Sequence, residues 1–346
     1  MAGLSEVIQD MLRKCETQPG ERVVLYTGQD FDRELLDTYT AALKSLDADF
    51  LRVIAPHQTR NGKVVNAGGA PLARGLFAHA DLVVYVLPPN AYWGEGIPRV
   101  AQLHTPEFRE VRQANPTMRW LQVGVPNPEI NYRRLMPSEA MIERTLAGVQ
   151  RMDAAKIMRI TSPGGTDLTV SVDGQRTGHQ LGIVTKDHTW DNFGCGNVSV
   201  NPVPDSAEGV LVVSPGDHWH HPDSPEALSL VREPIRLHFE GGRIRKIDGG
   251  LEASIVARAF AKYGDEGVYR IAHMGWGTHE NGVWLDSRHF CIADWEGTYG
   301  TLMIHFGGYA GLGGVHVSGP TVIDHDLYLD DDAIVKGGTI VDPACA

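Results

Sequence analysis

Two long apolar runs in the first half of the chain constrain its fold most strongly. Arg22 to Thr27 (RVVLYT) and Asp81 to Leu87 (DLVVYVL) are unbroken runs rich in β-branched residues, typical of strands that are buried on both faces. Segments with helical periodicity follow or separate them, at Asp32 to Leu46 and Pro71 to Ala80. Strands that alternate with helices predict an α/β fold with a doubly wound parallel sheet, and we assign residues 1–150 to this domain.

The sequence pattern changes near residue 150. Short alternating segments, such as Asp167 to Val172, Ile235 to Glu240 and Thr301 to Phe306, are then separated by turn residues. This pattern predicts a mainly antiparallel, barrel-like β domain over residues 151–346. Twelve of the fifteen histidines lie from His179 onward, so we expect the chemistry in this second domain or in the cleft between the domains.

Composition excludes several classes of function. The formal net charge of -12 over 346 residues disfavours nucleic acid or an anionic membrane as a partner. The four cysteines lie far apart without a CxxC pair, which indicates reduced thiols in a cytoplasmic protein. The first residues, MAGLSEVIQDMLRKCE, do not have the long apolar stretch expected of a secretory signal, and no apolar run reaches the roughly 20 residues expected of a membrane span. GxGxxG, GxSxG, GxxxxGK[ST] and HExxH motifs are also absent from the sequence.

Three histidines in glycine-rich surroundings are the candidate metal ligands. His273 lies in IAHMGWG, His305 in MIHFGG and His316 in GLGGVHVSGPT. Neutral imidazole is the commonest protein ligand for transition metals, and glycine allows the backbone to close tightly around a site. Each histidine could instead be a structural residue that is hydrogen-bonded to the backbone. A further ligand could come from any of five nearby residues: Asp294, Glu296, Asp324, His325 and Asp326.

Other side chains could transfer protons. In GDHWHHP, His218 and His220 would share one face of a strand, although the flanking prolines favour an exposed loop. Glu208 and Glu252 are isolated glutamates beside turns, each a candidate acid or base.

The stretch from about residue 160 to the end resembles the 2,5-dihydroxypyridine 5,6-dioxygenases, non-haem iron relatives of the thermophilic aminopeptidase T metallopeptidases. The motifs that carry the resemblance occur in order along the chain: GTDLT (165–169), WD (190–191), DSAEG (205–209), GGLEA (249–253), IAHMGWG (271–277), YG (299–300) and LYLDD (327–331).

The resemblance implies an iron site built from a histidine in a HisIleGlyTrpGly-like motif and a later His-x-Asp. His273 and His316 match these two histidines, but Ser318 stands where the carboxylate is expected. The third ligand would then be His305, a carboxylate such as Asp326, or water held by Ser318. The 2-His-1-carboxylate triad is typical of non-haem Fe(II) oxygenases.

The sequence therefore predicts a mononuclear Fe(II) dioxygenase that cleaves a hydroxylated aromatic or N-heteroaromatic ring with O2. Trp276 and Tyr299 would form the walls of a pocket for a flat substrate, together with Ser318. The proton-transfer group would be one of four residues: His188, Glu208, His218 and His220. By resemblance we also expect a homo-oligomer.

Two alternatives remain open at the level of sequence. One is a mononuclear hydrolase that uses Zn(II) or another divalent metal as a Lewis acid. The aminopeptidase-like version of this alternative loses a metal-binding glutamate, because Asn197 occupies its place. The other is a metal-free relative that binds or isomerises small aromatic molecules.

Overall fold

A computed structural model describes most of the chain. The described residues are 3–28, 31–55, 59–60, 63–64, 70–87, 106–219, 230–283, 292–308 and 316–346. The chain divides into two compact units: Met1–Pro137 with Leu181–Cys195 and Leu285–Ala293, and Ser138–Gln180 with Gly196–Trp284 and Asp294–Ala346. The boundary predicted at residue 150 falls inside a helix that belongs wholly to the second unit.

Helices and strands alternate through the first part of the chain. In chain order these are α1 Leu4–Lys14, β1 Arg22–Gly28, α2 Arg33–Ser45, β2 Asp49–Ala55, β3 Thr59–Arg60, β4 Lys63–Val64, α3 Ala70–Phe77, β5 Leu82–Val86, α4 Pro106–Ala114, β6 Arg119–Val123 and α5 Pro128–Arg134.

The rest of the chain is mostly strand. Its elements are α6 Glu139–Ala154, β7 Ile157–Thr161, β8 Asp167–Ser171, β9 Thr177–Gln180, β10 Trp190–Asn192, β11 Asn197–Val200, β12 Glu208–Val213, β13 His218–Trp219, β14 Ile235–Glu240, β15 Arg243–Gly249, α7 Leu251–Lys262, a 3-10 helix Glu266–Tyr269, β16 Ile271–Gly277, α8 Ile292–Gly297, β17 Leu302–Gly307, β18 His316–Val317, β19 Pro320–Val322, β20 Asp326–Leu329, β21 Asp332–Lys336 and β22 Thr339–Ile340.

The first unit is built on a parallel sheet with strand order β10-β6-β5-β1-β2. The strands β5 and β6 are buried along their whole length. The apolar sequence of β5 is typical of such a strand, whereas β6 also buries Arg119 and Gln122. Helix α2 begins after Asp32, whose carboxylate accepts hydrogen bonds from the backbone N–H groups of Glu34 and Leu35. Helix α1 contacts α2 and α5, whereas α3 contacts α4. The predicted parallel α/β sheet is confirmed.

One strand of this sheet comes from a distant part of the sequence. Strand β10 lies in the segment Leu181–Cys195 and extends the sheet by pairing in parallel with β6, Trp190 opposite Trp120. A pairing between residues so far apart in sequence has no local signal, so sequence reasoning missed it.

The second unit contains two antiparallel sheets, which confirms the predicted β-rich domain. The seven-stranded sheet has the order β13-β19-β17-β16-β11-β9, with β18 beside β17. The eight-stranded sheet has the order β15-β14-β12-β8-β7-β20-β21-β22. Apolar side chains from both sheets form one buried cluster, which includes Trp219, Trp276 and Phe306 from the seven-stranded sheet. Among the described residues, no helix has the length and apolar character needed to cross a bilayer.

Candidate metal centre

Three neighbouring strands of the seven-stranded sheet each carry one of the candidate histidines. His273 on β16 pairs directly with His305 on β17. His316 on β18 pairs with Gly307, which lies two residues after His305. Because cross-strand partners share a face and the side-chain period along a strand is two, all three imidazoles project from the same face.

The three imidazoles converge. One nitrogen from each of His273, His305 and His316 lies within 4.8 Å of the corresponding nitrogens of the other two. His305 Nδ1 and His316 Nε2 are 3.1 Å apart. The ring centroids of His273 and His305 are 4.3 Å apart, and the rings of His273 and His316 are parallel to within 2°. Within the described residues, this is the one convergent group of three or more possible metal ligands.

The outward nitrogens of two of these rings face oxygen atoms. His316 Nδ1 lies 3.1 Å from the carbonyl oxygen of Gly308, so a proton on Nδ1 is donated to that carbonyl and Nε2 is left to face the cluster. His305 Nε2 lies 3.8 Å from Glu296 Oε1, at the far side of the ring from its contact with His316. Trp295 stacks on the His305 ring with 5.1 Å between the centroids. These contacts fix the orientation of the rings in the way that supporting residues do around metal-binding histidines.

The electrostatics of the cluster favour neutral imidazole. Burial lowers the pKa of His316 below its usual value, and the hydrogen bond to Gly308 offsets this only in part. Neutral imidazole is the form that binds a metal ion. His316 therefore does not have to lose a proton before a cation binds at neutral pH.

Ser318 lies between two segments that pair with the strand of His305. Strand β18 pairs Val317 with Phe306 and β19 pairs Thr321 with Met303, so Ser318 lies opposite the part of β17 that carries His305. Ser318 is buried, and the following Gly319 packs against the backbone of Ile304. A carboxylate at position 318 would therefore be close to His305, which explains how one position could replace the other as a ligand.

The carboxylates and the histidine that sequence analysis left open as further ligands lie outside the convergent group. Asp294 Oδ1 accepts a hydrogen bond from the backbone N–H of Val283. Asp326 lies on β20 of the other sheet, where its carboxylate binds the ammonium group of Lys336. His325 is fully buried, and burial lowers its pKa to about 4.

Trp276 and Tyr299, predicted to form pocket walls, have other surroundings. Trp276 lies three residues after His273 on the same strand, so its side chain projects from the opposite face. There it is fully buried, with its ring against Gly148 of α6. Tyr299 lies under the guanidinium of Arg144, 4.9 Å from ring centroid to Cζ, and its hydroxyl faces the carbonyl of Ile340.

Among the predicted proton-transfer residues that the structure describes, His218 alone shares the face of the cluster. It pairs with Thr321 on β19, which pairs with Met303 on β17, two residues before His305. His218 is therefore two strands away from His305 on the same side of the sheet. Burial lowers the pKa of His218 to about 4, so it is neutral at physiological pH. Its predicted partner His220 lies outside the described residues.

The other two proton-transfer candidates lie elsewhere. Glu208 is exposed at the start of β12 in the eight-stranded sheet, where it accepts a hydrogen bond from the backbone N–H of Gly241. His188 belongs to the first unit, with its Nε2 2.7 Å from the buried carboxylate of Asp191. The bond to Asp191 and its charge raise the pKa of His188 above its usual value, outweighing burial, which is the largest single influence and lowers it.

Comparison with known proteins decides the family. A sequence profile of the 2,5-dihydroxypyridine 5,6-dioxygenase (NicX) family matches residues 3–342, nearly the whole chain. The chain belongs to this family. As a member of the 2,5-dihydroxypyridine 5,6-dioxygenase family, it is an oxidoreductase of the ring-cleaving dioxygenase class. The predicted resemblance and the predicted enzyme class are confirmed.

One relative known by sequence and two solved structures are similar to this chain over nearly their full lengths. A 2,5-dihydroxypyridine 5,6-dioxygenase from Pseudomonas putida (strain KT2440) is 26% identical over 362 aligned residues, which cover 99% of this chain and 97% of the relative. The solved structure of the 2,5-dihydroxypyridine dioxygenase from Pseudomonas putida KT2440 has a TM-score of 0.83 at 24% identity, with 99% of this chain and 98% of that chain covered. AmpT from Thermus thermophilus has a TM-score of 0.63 at 16% identity, with coverage of 98% and 99%. Both structural comparisons support the mixed α/β fold with a parallel sheet and antiparallel sheets.

Proposed function

We propose that this protein is an iron(II)-dependent dioxygenase that opens the ring of 2,5-dihydroxypyridine or of a closely related hydroxylated N-heteroaromatic compound. The observation that carries the proposal is the convergence of His273, His305 and His316 in a chain that belongs to this family. We propose these three imidazoles as the iron ligands, with His305 in place of the carboxylate that the family motif has at position 318, where this chain has serine. Cytoplasmic location and homo-oligomeric assembly stay predictions.

The three side chains fit a first-row transition metal. Imidazole nitrogen suits Fe(II), Zn(II) and Cu(II), and two ligands about 2.1 Å from one ion at a right angle lie roughly 3 Å apart. The 3.1 Å between His305 Nδ1 and His316 Nε2 matches this spacing. Bound Fe(II) would supply the redox chemistry that joins O2 to an electron-rich ring.

Residues of the chain would orient the ligands and transfer protons. The Gly308 carbonyl keeps the proton of His316 on Nδ1, which leaves Nε2 available to the metal. His218 is the proton-transfer residue that we favour, because it shares the face of the cluster and is neutral at physiological pH. A neutral imidazole can accept the proton of a substrate hydroxyl and return it to the opened product.

The test is the metal content and the oxygen uptake of protein purified anaerobically without a histidine tag. We expect about one iron per chain in the wild type, on the basis of one three-ligand site. We also expect this iron to be lost in His305→Ala and in His316→Ala. His238→Ala is the matched control, because His238 lies on the other sheet and binds Asp248. Oxygen uptake with 2,5-dihydroxypyridine should follow the iron content of the variants.

Each outcome bears on a different part of the proposal. Iron retained in His305→Ala and lost in His316→Ala would remove His305 from the ligand set. One zinc per chain, with ring opening under nitrogen, would favour the hydrolase alternative. No metal in the wild type would contradict the proposed centre altogether.

A further inference from the structure

The proposed ligand set lacks a negative charge of its own. Three neutral imidazoles leave the full charge of a divalent ion uncompensated, whereas a 2-His-1-carboxylate set cancels half of it. Ser318 cannot restore that charge, because its hydroxyl is neutral at physiological pH. The structure does, however, contain a carboxylate directly behind one of the three rings.

That carboxylate is Glu296. Its Oε1 lies 3.8 Å from Nε2 of His305, and only 9% of its side chain is exposed. The other nitrogen of the same ring, Nδ1, faces His316. Glu296 is therefore aligned with the cluster through the His305 imidazole and lies outside the group of convergent ligand atoms.

Helix α8 holds Glu296 in this position. The backbone carbonyl of Trp295 accepts a hydrogen bond of 2.9 Å from the hydroxyl of Thr321 on β19, and the Trp295 ring stacks on His305. Two residues before Glu296, the Asp294 carboxylate accepts a hydrogen bond from the backbone N–H of Val283. The hydrogen bond from Thr321 thus attaches the helix to the sheet at the residue directly before Glu296.

We propose that Glu296 is a positioning residue that acts on the metal through His305, and that it supplies the negative charge absent from position 318. The inference rests on the proposed function. A carboxylate beside Nε2 favours the tautomer with its proton on that nitrogen, which leaves the Nδ1 lone pair directed at the cluster. It also makes the ring a stronger donor and stabilises the more highly charged ion.

The variant Glu296→Gln distinguishes the effect of the negative charge from the effect of side-chain packing. Glutamine has nearly the same size and keeps a carbonyl oxygen on the same side chain, so the substitution removes the negative charge with little change in packing. Loss of such a supporting carboxylate typically weakens metal binding about 10- to 100-fold. We expect a loss of this size in the affinity for Co(II), added to metal-free protein, and a more positive Fe(III)/Fe(II) potential.

The variant Ser318→Asp provides the decisive rescue. It places a carboxylate at the position directly after β18, opposite the part of β17 that carries His305. In the Glu296→Gln background it should restore the Co(II) affinity and lower the iron potential again. Glu296→Gln should also weaken Co(II) binding less in the Ser318→Asp background than in the wild type, because the aspartate then supplies the negative charge directly.

Glu252→Gln is the control. Glu252 is also a buried glutamate of the second unit, and its carboxylate accepts the backbone N–H groups of Arg232 and Glu233 in place of contacting a histidine of the cluster. This variant should keep the wild-type Co(II) affinity and the wild-type iron potential.

The outcomes distinguish this inference from the proposed function. If wild-type protein binds neither Co(II) nor Fe(II), the proposed centre fails and this inference fails with it. If the wild type binds metal and Glu296→Gln binds it with the same affinity and potential, only the inference is overturned. A loss that Ser318→Asp does not reduce, and that Glu252→Gln reproduces, would also overturn it, because packing would then explain the effect.

Discussion

The sharpest test of the sheet geometry is the exchange Trp276→Phe. Sequence analysis predicted that Trp276 forms a wall of the substrate pocket, whereas its side chain lies on the face opposite the histidine cluster. A Cβ atom added at Gly148 would lie 3.0 Å from Cζ2 of this indole and 2.7 Å from Cγ2 of Val198. If this packing is correct, Trp276 contributes to the stability of the second unit and has no direct contact with substrate or metal.

The expected cost follows from that environment. Complete truncation of a buried tryptophan costs about 3–5 kcal/mol, and phenylalanine retains most of the apolar ring, so we expect about 1–2 kcal/mol for Trp276→Phe. The variant Gly148→Ala adds a methyl group to a filled space, which should lower the free energy of unfolding by about 1–3 kcal/mol. The higher helix propensity of alanine should offset roughly 1 kcal/mol of this loss.

The double variant makes the prediction specific to this contact. A phenyl ring does not extend as far as the indole Cζ2, so Trp276→Phe should relieve part of the strain of Gly148→Ala. The coupling energy should be about 1 kcal/mol, as for other residues in direct contact. Val198 remains in place, so the relief should be incomplete.

Urea unfolding followed by circular dichroism measures the stabilities, and metal titration of each variant gives the affinity. We expect a non-additive loss of stability with unchanged metal affinity. Strictly additive effects would mean that the two side chains do not touch. Unchanged stability combined with weaker substrate binding would refute the packing and return Trp276 to the pocket.

Two further predictions concern other parts of the chain. In the first unit, Asp191→Asn should lower the pKa of His188 towards or below 6.5, as measured by NMR titration of the imidazole; an unchanged pKa would contradict the pairing. Because the pKa of His188 is raised in the folded protein, the stability that this pair contributes is complete below about pH 6.5. It is lost as the pH rises through the pKa of the folded state. In the second unit, Gly319→Ala would bring a methyl group to 2.7 Å from the Phe306 ring and into the Ile304 carbonyl. It should therefore lower the free energy of unfolding by about 1–3 kcal/mol and weaken metal binding. Gly75→Ala, with nothing within 4 Å of its added Cβ, should do neither, and equal thermal unfolding of the two variants would refute the contact.

The sequence was sufficient to predict the elements with strong local patterns. The apolar runs at β1 and β5 predicted the parallel sheet, and Asp32 marked the start of α2. The glycine-rich surroundings of His273, His305 and His316 selected the three histidines that converge. These features depend on residues that are close together in the chain, where periodicity and turn chemistry are informative.

The structure also reveals contacts that local patterns could not show. The contact of Trp295 with His305 depends on how α8 packs against the sheet, and no spacing in the sequence encodes it. The face of Trp276 is a different case, because its separation of three residues from His273 in one strand already predicted opposite faces. The spacing along the strand is therefore the stronger signal, and the indole of Trp276 belongs to the buried apolar cluster.

The position of the third histidine has a simple geometric origin. In an antiparallel sheet, a residue shares its face with the partner directly across the strand pair as well as with residues two positions away. A His-x-Asp motif uses the second relation, since its two ligands are two positions apart on one strand. The pair of His273 and His305 uses the first relation, and Ser318 directly follows β18, which pairs with the strand of His305. A ligand lost at position 318 can therefore be replaced from the adjacent strand without any change in backbone, while the charge that the aspartate carried has to come from elsewhere. The proposed role of Glu296 follows from this difference, because the sheet preserves the geometry of the site and only the charge requires a second residue.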